Sequence, residues 1–283
     1  MRYAMFRNAD GPRAAIVRRD EVHPFAASAG SLEAIVALPR AAREALVTEA
    51  PQKLADVTLL APLRPRKNVF AVGLNYTGHA DEIARAAGKP PRYPKVPTFF
   101  TKAATSLADP EATLHLSADV SPEYDWEAEL AIVIGERCRD VPLERAHAVV
   151  FGYTALNDVT ARDLQRDHGQ WFKGKSLDET CPLGPWLVDA AEIGDPQTLD
   201  VTLRLNGEVK QHASTSTMIF NVAQIVASLS RGMTLEPGDV IATGTPHGVG
   251  FARTPPEFLR DGDVMEVEIS KIGVLRNPVA IRP

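Results

Sequence analysis

The sequence predicts an α+β fold built around a dominant, mostly antiparallel or mixed β-sheet. The chain has 22 Pro and 19 Gly against 6% aromatic residues. These residues divide it into short intervals, a pattern typical of many short strands joined by tight turns. Segments with a helical pattern are few and irregularly placed, which excludes the regular alternation of strand and helix of a parallel βαβ fold.

A small N-terminal domain is predicted over residues 1–64. Arg2–Phe6 and Ala14–Arg18 alternate in polarity like strands, and the turn-forming segment Asn8–Gly11 lies between them. This arrangement predicts a β-hairpin at the start of the chain.

Proline residues punctuate the rest of this predicted domain. Residues 31–49 have a partly helical pattern that Pro39 interrupts. Pro62 and Pro65, with basic residues close by, predict a linker to a larger domain over residues 65–283.

The larger domain is predicted to contain several strands and two helices. Asn206-Gly207 is the strongest hairpin signal in the chain, because this dipeptide adopts the left-handed backbone that a two-residue turn requires. Residues 89–97 contain too much proline for regular structure. The predicted strands lie in 68–76, Glu123–Gly135, Val149–Leu156, Val201–Leu205, Glu208–His212, 236–250 and 260–270, and the predicted helices are Thr77–Gly88 and Phe220–Ser230.

Charge, hydropathy and cysteine content exclude several protein classes. The 283 residues carry a net charge of −5 with a pI near 5.8, which argues against a nucleic-acid partner. No stretch approaches 18 apolar residues, so no membrane span is expected, and the N-terminus lacks the apolar segment of a signal peptide, which predicts a cytoplasmic protein. Two cysteines are too few for a disulfide framework, and no Cys/His cluster has zinc-ligand spacing.

Two glutamates in the predicted strand 123–135 are the first candidate site residues. Side chains alternate along a strand, so Glu127 and Glu129 point to one face, about 6.6 Å apart. Trp126 and Leu130 point to the other. Two buried carboxylates at neutral pH need a cation or a raised pKa, whereas on an outer face they would simply be solvated. Both interpretations stay open on this segment alone.

Asp158 follows the apolar strand 149–156 and adds a third carboxylate. Three carboxylates with no Cys or His nearby are hard oxygen ligands, which favour Mg²⁺, Mn²⁺ or Ca²⁺ over zinc. The alternative is that Asn157-Asp158 begins a turn, a role these residues often have.

His79 and Glu82 form a second candidate pair at a helical spacing of three residues. A carboxylate that binds one imidazole nitrogen fixes the tautomer and makes the other nitrogen a general base for water. The Gly- and Pro-rich segment that follows predicts a mobile lid over residues 77–96. Such a pair alone is more often a surface feature.

Several polar residues after Asp158 are candidate ligand contacts. Arg162 and Gln165 share one face of a helical turn and would grip a carboxylate, and Lys175 lies between the small residues Gly174 and Ser176. Thr245 belongs to a glycine-rich turn that resembles a ligand contact. A solvated basic patch and a simple strand connection are the alternatives.

Taken in order, these segments resemble the fumarylacetoacetate hydrolase family over roughly residues 66–281. As an ordered set they are highly specific to that family. The matching motifs are VGLNYTGHADE, PTFFTKAATSL, YDWEAELAIVIG, FGYTALNDVTARDLQ, FKGKSLDETCPLGPW and GDVIATGTPHGVG.

The resemblance implies a rolled mixed β-sheet, usually in a homodimer, and a role for each candidate residue. Glu127, Glu129 and Asp158 match the divalent-metal ligands, with Mg²⁺ as the expected ion and Mn²⁺ or Ca²⁺ as alternatives. The other matches are the water-activating dyad His79 and Glu82, the charge-stabilising lysine Lys175, and the substrate contacts Arg162, Gln165 and Thr245.

The activity that the resemblance implies is hydrolysis of a C–C bond in a 2,4-dioxo acid, an acylpyruvate of the kind met in aromatic catabolism. Oxaloacetate decarboxylation, isomerisation or decarboxylation of a hydroxymuconate-type acid, ureidoglycolate lyase activity and a non-catalytic metal-binding role are the alternatives. In the predicted lid, Arg85, Lys89, Arg92 and Lys95 would either meet a second carboxylate of a diacid substrate or lie in solvent.

Overall fold

Three β-sheets organise the molecule. The computed structural model describes residues 1–9 and 11–283. In chain order the strands are β1 (Arg2–Asn8), β2 (Gly11–Arg18), β3 (Glu21–Pro24), β4 (Gln52–Lys53), β5 (Thr58–Leu60), β6 (Val69–Gly73), β7 (Thr98–Lys102), β8 (Leu107–Ala108), β9 (Leu114–Ser117), β10 (Tyr124–Asp125), β11 (Ala128–Ile134), β12 (Val150–Asn157), β13 (Thr160–Ala161), β14 (Cys181–Asp189), β15 (Asp200–Leu205), β16 (Glu208–Ser214), β17 (Val240–Ala242), β18 (Val264–Ile269) and β19 (Gly273–Arg282).

The helices are short and lie between the strands. They are α1 (Leu32–Val36), α2 (Arg40–Ala45), α3 (Thr77–Ala86), α4 (Arg162–Asp167), α5 (Phe172–Lys175), α6 (Ala190–Ile193) and α7 (Val222–Ser230). Single 3₁₀ segments occur at Ala27–Ala29, Leu54–Asp56, Ala104–Ser106, Leu143–Val149, Pro196–Thr198 and Thr215–Thr217. Within the described residues, no helix is long and apolar enough to cross a membrane.

The largest sheet has twelve strands and runs through both predicted domains. Its order is β4-β3-β2-β1-β14-β12-β11-β17-β6-β7, with β5 on β1 and β8 on β14. A second sheet has the order β16-β15-β18-β19-β9, and β10 pairs with β13. Most pairs are antiparallel, but β17 with β6, β14 with β8 and β19 with β9 are parallel. The predicted α+β class with a mixed sheet is therefore confirmed.

The N-terminal hairpin and the helical segment after it are confirmed. β1 pairs with β2 from Arg2↔Val17 to Asn8↔Gly11, although Asp10, in the predicted turn, lies outside the described residues. Pro39 separates α1 from α2, as predicted from its missing N–H. The predicted linker is packed rather than free: Pro62, Leu63 and Pro65 are buried.

The predicted hairpin and helix of the C-terminal half are also confirmed. Asn206 and Gly207 have φ values of 53° and 81°, as their two-residue turn between β15 and β16 requires. Helix α7 begins at a capping box, in which Asn221 and Gln224 bond each other's backbone N–H.

Strand β11 is buried on both faces and separates two cores. Leu130 and Ile132 belong to the core shared with the five-stranded sheet and α7, whereas Ala131 and Val133 belong to the core beneath β1, β2 and α1. The strand is apolar from Leu130 to Ile134, and the carboxylate of Glu129 near its start is removed from water.

Candidate active site

Glu127, Glu129 and Asp158 lie together where β11 and β12 meet. Ala128 pairs with Asn157, and the N–H of Asp158 donates to the carbonyl of Glu127 at 2.8 Å. One carboxylate oxygen of each acidic residue lies within 4.8 Å of the others. The three residues are 5%, 1% and 0% exposed, so the solvated-face interpretation of this strand is wrong.

The predicted strand 123–135 is interrupted at Trp126-Glu127, which separates β10 from β11. Here the backbone bonds side chains instead of a neighbouring strand. The N–H of Glu127 donates to Asn157 Oδ1 at 3.0 Å and that of Ala128 donates to Gln211 Oε1 at 2.9 Å. The interruption places the Glu127 carboxylate beside Asp158, about thirty residues away along the chain.

Three buried cationic side chains surround the carboxylates. Lys175 Nζ lies 2.8 Å from Glu127 Oε2 and 2.7 Å from Asp158 Oδ2. Arg162 Nη1 lies 2.7 Å from Glu127 Oε1. Lys102, at the end of β7, is fully buried with Nζ 2.7 Å from Asp158 Oδ1, and it also donates to the carbonyls of Val159 and Lys175.

The sequence did not predict that Lys102 pairs with Asp158. Its only signal was a lone lysine in the apolar motif PTFFTKAATSL, where a buried ammonium must have a partner. The partner could not be identified locally, because Asp158 is more than fifty residues further along the chain.

Glu127, Glu129 and Asp158 form a carboxylate triad, and the pKa values of its two glutamates are shifted in opposite directions. Burial opposes the ionisation of Glu127, but the charges of Lys175 and Arg162 outweigh it and lower the pKa to about 2. Burial, together with the charges of Asp158 and Glu127, raises the pKa of Glu129 well above its usual range. Glu129 Oε2 accepts the N–H of Gly244 at 2.7 Å.

The triad fits a hard divalent cation. Its donors are three carboxylates held within bonding reach of one point, the ligand set that Mg²⁺, Mn²⁺ and Ca²⁺ prefer. Burial and the charges of Asp158 and Glu127 raise the pKa of Glu129, and a cation bound beside it would favour its ionised form. The site can therefore hold a divalent metal with all three carboxylates ionised.

His79 faces the same cavity from helix α3, and Glu82 lies behind it on the same helix. His79 Nδ1 lies 3.3 Å from Glu82 Oε2, and Glu82 Oε1 accepts the N–H of Gly248 at 2.9 Å. His79 is 5% exposed, so the pair is not a surface feature. The contact with Glu82 leaves Nε2 as the free imidazole nitrogen.

Arg162 is held by an aspartate that the sequence interpretation left outside the site. Arg162 Nε and Nη2 each lie 2.8 Å from Asp125 Oδ2. Asp125 also accepts the N–H groups of Gly250 and Phe251. Arg162 Nη1 donates to Gln165 Oε1 at 3.1 Å, so Arg162 and Gln165 form one polar unit beside Glu127.

Thr245 lies at the end of the turn after β17. Its hydroxyl donates to the carbonyl of Ala128 at 3.0 Å and accepts from Gln211 Nε2 at 2.8 Å. Gly244 has φ +95°, and a Cβ there would approach the Val72 carbonyl to 2.9 Å, so only glycine permits this turn. The turn brings the Gly244 N–H to Glu129 and the Thr245 side chain to the cavity.

A cavity of about 580 Å³ brings most of these groups together. Of the described residues, the four basic residues of the predicted lid do not line it and are exposed. The predicted site residues that line it are His79, Glu127, Glu129, Arg162, Gln165, Lys175 and Thr245, while Glu82 and Asp158 support it from behind.

Comparison with known proteins gives three findings. The family model for the fumarylacetoacetate (FAA) hydrolase C-terminal domain matches residues 68–280. Oxaloacetate tautomerase YisK of Bacillus subtilis (strain 168) is 46% identical over 227 residues, which cover 80% of this chain and 74% of that protein. 2,4-Didehydro-3-deoxy-L-rhamnonate hydrolase of Sphingomonas sp. (strain SKA58) is 43% identical over 242 residues, covering 85% and 82%.

A solved structure extends the similarity to the whole chain. Fumarylacetoacetate hydrolase (EaFAH) from the psychrophilic Exiguobacterium antarcticum superposes with a TM-score of 0.85 at 39% identity, covering 100% of both chains. The similarity thus includes the N-terminal 64 residues, which the family model does not match.

Proposed function

This chain belongs to the fumarylacetoacetate hydrolase family of enzymes, and we propose that it acts on a small 2-oxo acid with a second carbonyl at C4. The observation that carries the proposal is the convergence of three kinds of group on one cavity. These are a carboxylate triad, the buried ammonium of Lys175 and the His79–Glu82 pair. A metal-binding triad, a fixed positive charge and a general base are groups that promote formation of an enolate at C3.

We propose Mg²⁺ as the cofactor, with Mn²⁺ or Ca²⁺ as substitutes, and Glu127, Glu129 and Asp158 as its ligands. When bound, a divalent ion supplies Lewis-acid polarisation of the carbonyl and carboxylate oxygens of the oxo acid.

The side chains of Arg162, Gln165 and Lys175 bind and orient the substrate. The positive charge of the Arg162 guanidinium, which Asp125 and Glu127 hold in place, attracts the substrate carboxylate. Gln165 accepts from Arg162 Nη1 through its amide oxygen and keeps its NH₂ group as a neutral donor. The charges of Asp158 and Glu127 outweigh burial and raise the pKa of Lys175, so its ammonium stays charged and stabilises the negative charge that develops on the substrate. Thr245 lines the same wall.

The His79–Glu82 pair moves the protons of the reaction. In hydrolysis His79 Nε2 takes a proton from water as the water oxygen attacks C4. The C3–C4 bond then breaks, its electron pair passes to C3 as an enolate, and the imidazolium returns the proton to C3. The products are pyruvate and a carboxylic acid.

Tautomerisation of oxaloacetate is the second candidate function. Its specific support is the 46% identity to an oxaloacetate tautomerase, against 43% to a hydrolase. This reaction needs only the proton transfer at C3 and no attacking water. The same enolate would serve decarboxylation of oxaloacetate and the hydroxymuconate-type reactions. Ureidoglycolate lyase activity would instead break a C–N bond to release urea, without an enolate at C3. All of these activities stay predictions.

Turnover of acetylpyruvate and oxaloacetate by metal-stripped and Mg²⁺- or Mn²⁺-loaded protein tests the proposal. We expect activity only after reloading. His79→Ala should abolish acetylpyruvate hydrolysis, while the matched variant of an exposed histidine, His168→Ala, should match the wild type. Undiminished turnover by the metal-stripped enzyme, or by His79→Ala, would contradict the mechanism.

Cytoplasmic location and a homodimer stay predictions. Sedimentation of the purified protein measures its oligomeric state directly.

A further inference from the structure

The cavity has an apolar half that the proposed chemistry does not use. The polar groups of the proposed chemistry that line the 580 Å³ space include Glu127, Glu129, Arg162 and Lys175. The apolar part of the lining includes six large side chains that are only partly buried: Leu74, Ile83, Phe100, Trp171, Phe251 and Phe258. Partly exposed aromatic residues that converge on a concave surface are typical of a ligand-binding wall.

The aromatic wall is tightly built and begins at the polar groups. Trp171 packs onto Gly73, where any Cβ would collide with the indole ring, and it meets Phe100 edge to face at 5.3 Å between ring centroids. The Phe100 ring lies 5.2 Å from Lys175 Nζ, and the Phe251 ring lies 4.3 Å from the Arg162 guanidinium. A substrate held by Arg162 and Lys175 would therefore extend directly along these rings.

The charges at the cavity mouth do not favour a second carboxylate. Arg166 lines the mouth, but it is paired with Glu123 at 3.2 Å and with Asp167 at 3.1 Å, and Glu123 lines the mouth as well. The basic residues of segment 77–96 are exposed outside the cavity. Among the described residues no unpaired cation faces this apolar half, so a charged substrate tail would lose hydration without a partner.

The volume of the cavity also favours a substrate with an apolar tail. Pockets of about 300–1,000 Å³ bury ligands of drug size, and a four-carbon acid such as oxaloacetate would leave the aromatic half empty. We propose that this site takes 2,4-dioxo acids whose acyl group is apolar, an alkyl chain or an aryl ring, and that Trp171 and Phe100 hold this group. The inference rests on the proposed function and adds the class of acyl group.

The test is a series of acylpyruvates with acetyl, butanoyl, hexanoyl and benzoyl groups, and fumarylpyruvate as the diacid. Burial of each CH₂ should raise kcat/KM about fourfold, equivalent to ~0.8 kcal/mol. Fumarylpyruvate should be turned over more slowly than hexanoylpyruvate or benzoylpyruvate.

Trp171→Ala should lower kcat/KM for hexanoylpyruvate and benzoylpyruvate by a factor at least about tenfold larger than the factor by which it lowers kcat/KM for acetylpyruvate, because the longer groups lose more buried apolar area. The matched control is Phe172→Ala, since Phe172 is the neighbouring aromatic residue, is 46% exposed and does not line the cavity. This variant should keep the wild-type preference.

A second readout does not depend on turnover. The affinity of metal-loaded His79→Ala for the same series, measured by calorimetry, should rise with the length of the acyl group. Three results would overturn the inference while leaving the proposed function intact. The first is turnover of acetylpyruvate with a kcat/KM that does not change along the acyl series. The others are a preference for fumarylpyruvate and an equal effect of Trp171→Ala on all substrates. Absence of turnover on every dioxo acid and on oxaloacetate would overturn the proposed function, and a flat calorimetric series would then overturn the inference too.

Discussion

At the scale of single residues, the carboxylates of the triad differ in how their charge is balanced. Glu127 is paired with Lys175 and Arg162, and Asp158 is paired with Lys175 and Lys102. Among the residues that the structure describes, Glu129 accepts only the backbone N–H of Gly244. Glu129 is therefore the carboxylate whose negative charge a bound cation would balance.

The stability of the metal-free protein should fall as pH rises, because of Glu129. The pKa of Glu129 is raised in the folded state, so protonation of Glu129 stabilises the folded protein. This stabilisation is fully present below the pKa of a glutamate in the unfolded chain, about 4.3. This stabilisation is lost as pH rises through the raised value. Glu129→Gln mimics the protonated form, and thermal melts in EDTA should show a flatter pH profile for this variant than for the wild type.

Glu136→Gln provides the control, since Glu136 is exposed and distant from the triad. This variant should keep the wild-type pH profile. Calorimetry with Mn²⁺ should show loss of binding for Glu129→Gln and tighter binding by the wild type as pH rises. Identical pH profiles for Glu129→Gln and the wild type would exclude the assigned charge imbalance.

Lys102 should matter for both stability and metal affinity. Lys102→Met removes the partner of Asp158 Oδ1 inside the protein, and loss of one member of a buried ion pair costs about 3–5 kcal/mol. Because Lys102 orients Asp158, a proposed metal ligand, we expect affinity for Mn²⁺ to fall about 10–100-fold. Chemical denaturation and calorimetry measure the two effects.

Lys173→Met controls for loss of a lysine. Lys173 is exposed on α5 and should change the free energy of unfolding by no more than about 0.5 kcal/mol. A Lys102→Met protein with wild-type metal affinity would show that Asp158 does not depend on Lys102.

At the scale of elements, the contact between α4 and α5 positions the polar end of the cavity. Helix α4 carries Arg162 and Gln165, and α5 carries Lys175. Gly174 lets the two helices touch, because a Cβ there would lie 2.6 Å from the Ala161 carbonyl and would also collide with the backbone of Gln165. The absence of a side chain at one position thus sets the distance between the helices.

Gly174→Ala should therefore lower the rate of the reaction strongly and change the melting temperature less. The backbone must shift to admit the methyl group, which moves Lys175 away from Glu127 and Asp158, and a misplacement of about 1 Å costs on the order of 100-fold in rate. Steady-state kinetics on acetylpyruvate or oxaloacetate, with a thermal melt of the same sample, would separate the two effects.

Gly169→Ala is the comparison for Gly174→Ala. Gly169 has φ +70° with nothing near its absent side chain, so alanine there adds only backbone strain of about 1–2 kcal/mol. Equal kinetics for the two variants would show that the close helix contact does not position Lys175.

At the scale of the whole molecule, one sheet crosses the predicted boundary at residue 64. β1 pairs with β14 through Arg2↔Val188 and Tyr3↔Leu187, and the ring of Tyr3 lies 5.4 Å from that of Phe151. The division into 1–64 and 65–283 stays a prediction about chain organisation, but the two parts share a core.

We expect that residues 65–283 do not fold alone. Removal of β1 exposes an edge of β14 and the apolar side chains beneath it, and such an edge promotes aggregation. Size-exclusion chromatography and circular-dichroism melts of 65–283 should show aggregates without a cooperative transition. A monodisperse fragment with the melting temperature of the full chain would contradict this expectation.

Local patterns in the sequence determined much of the fold and part of the site. Turn chemistry at Asn206-Gly207 and the break at Pro39 located elements correctly, because these signals act over a few residues. Strand alternation likewise placed Glu127 and Glu129 on one face, opposite Trp126.

Only the tertiary structure decided which distant groups meet. Nothing near Lys102 identifies Asp158 as its partner, nothing near Asp125 indicates that it holds Arg162, and the interruption before β11 depends on the Asn157 and Gln211 side chains. The sequence by itself thus determined the kinds of chemical group and their local faces. Their ion pairs, pKa shifts and shared cavity depend on burial and on contacts between segments far apart in the chain, which local periodicity does not contain.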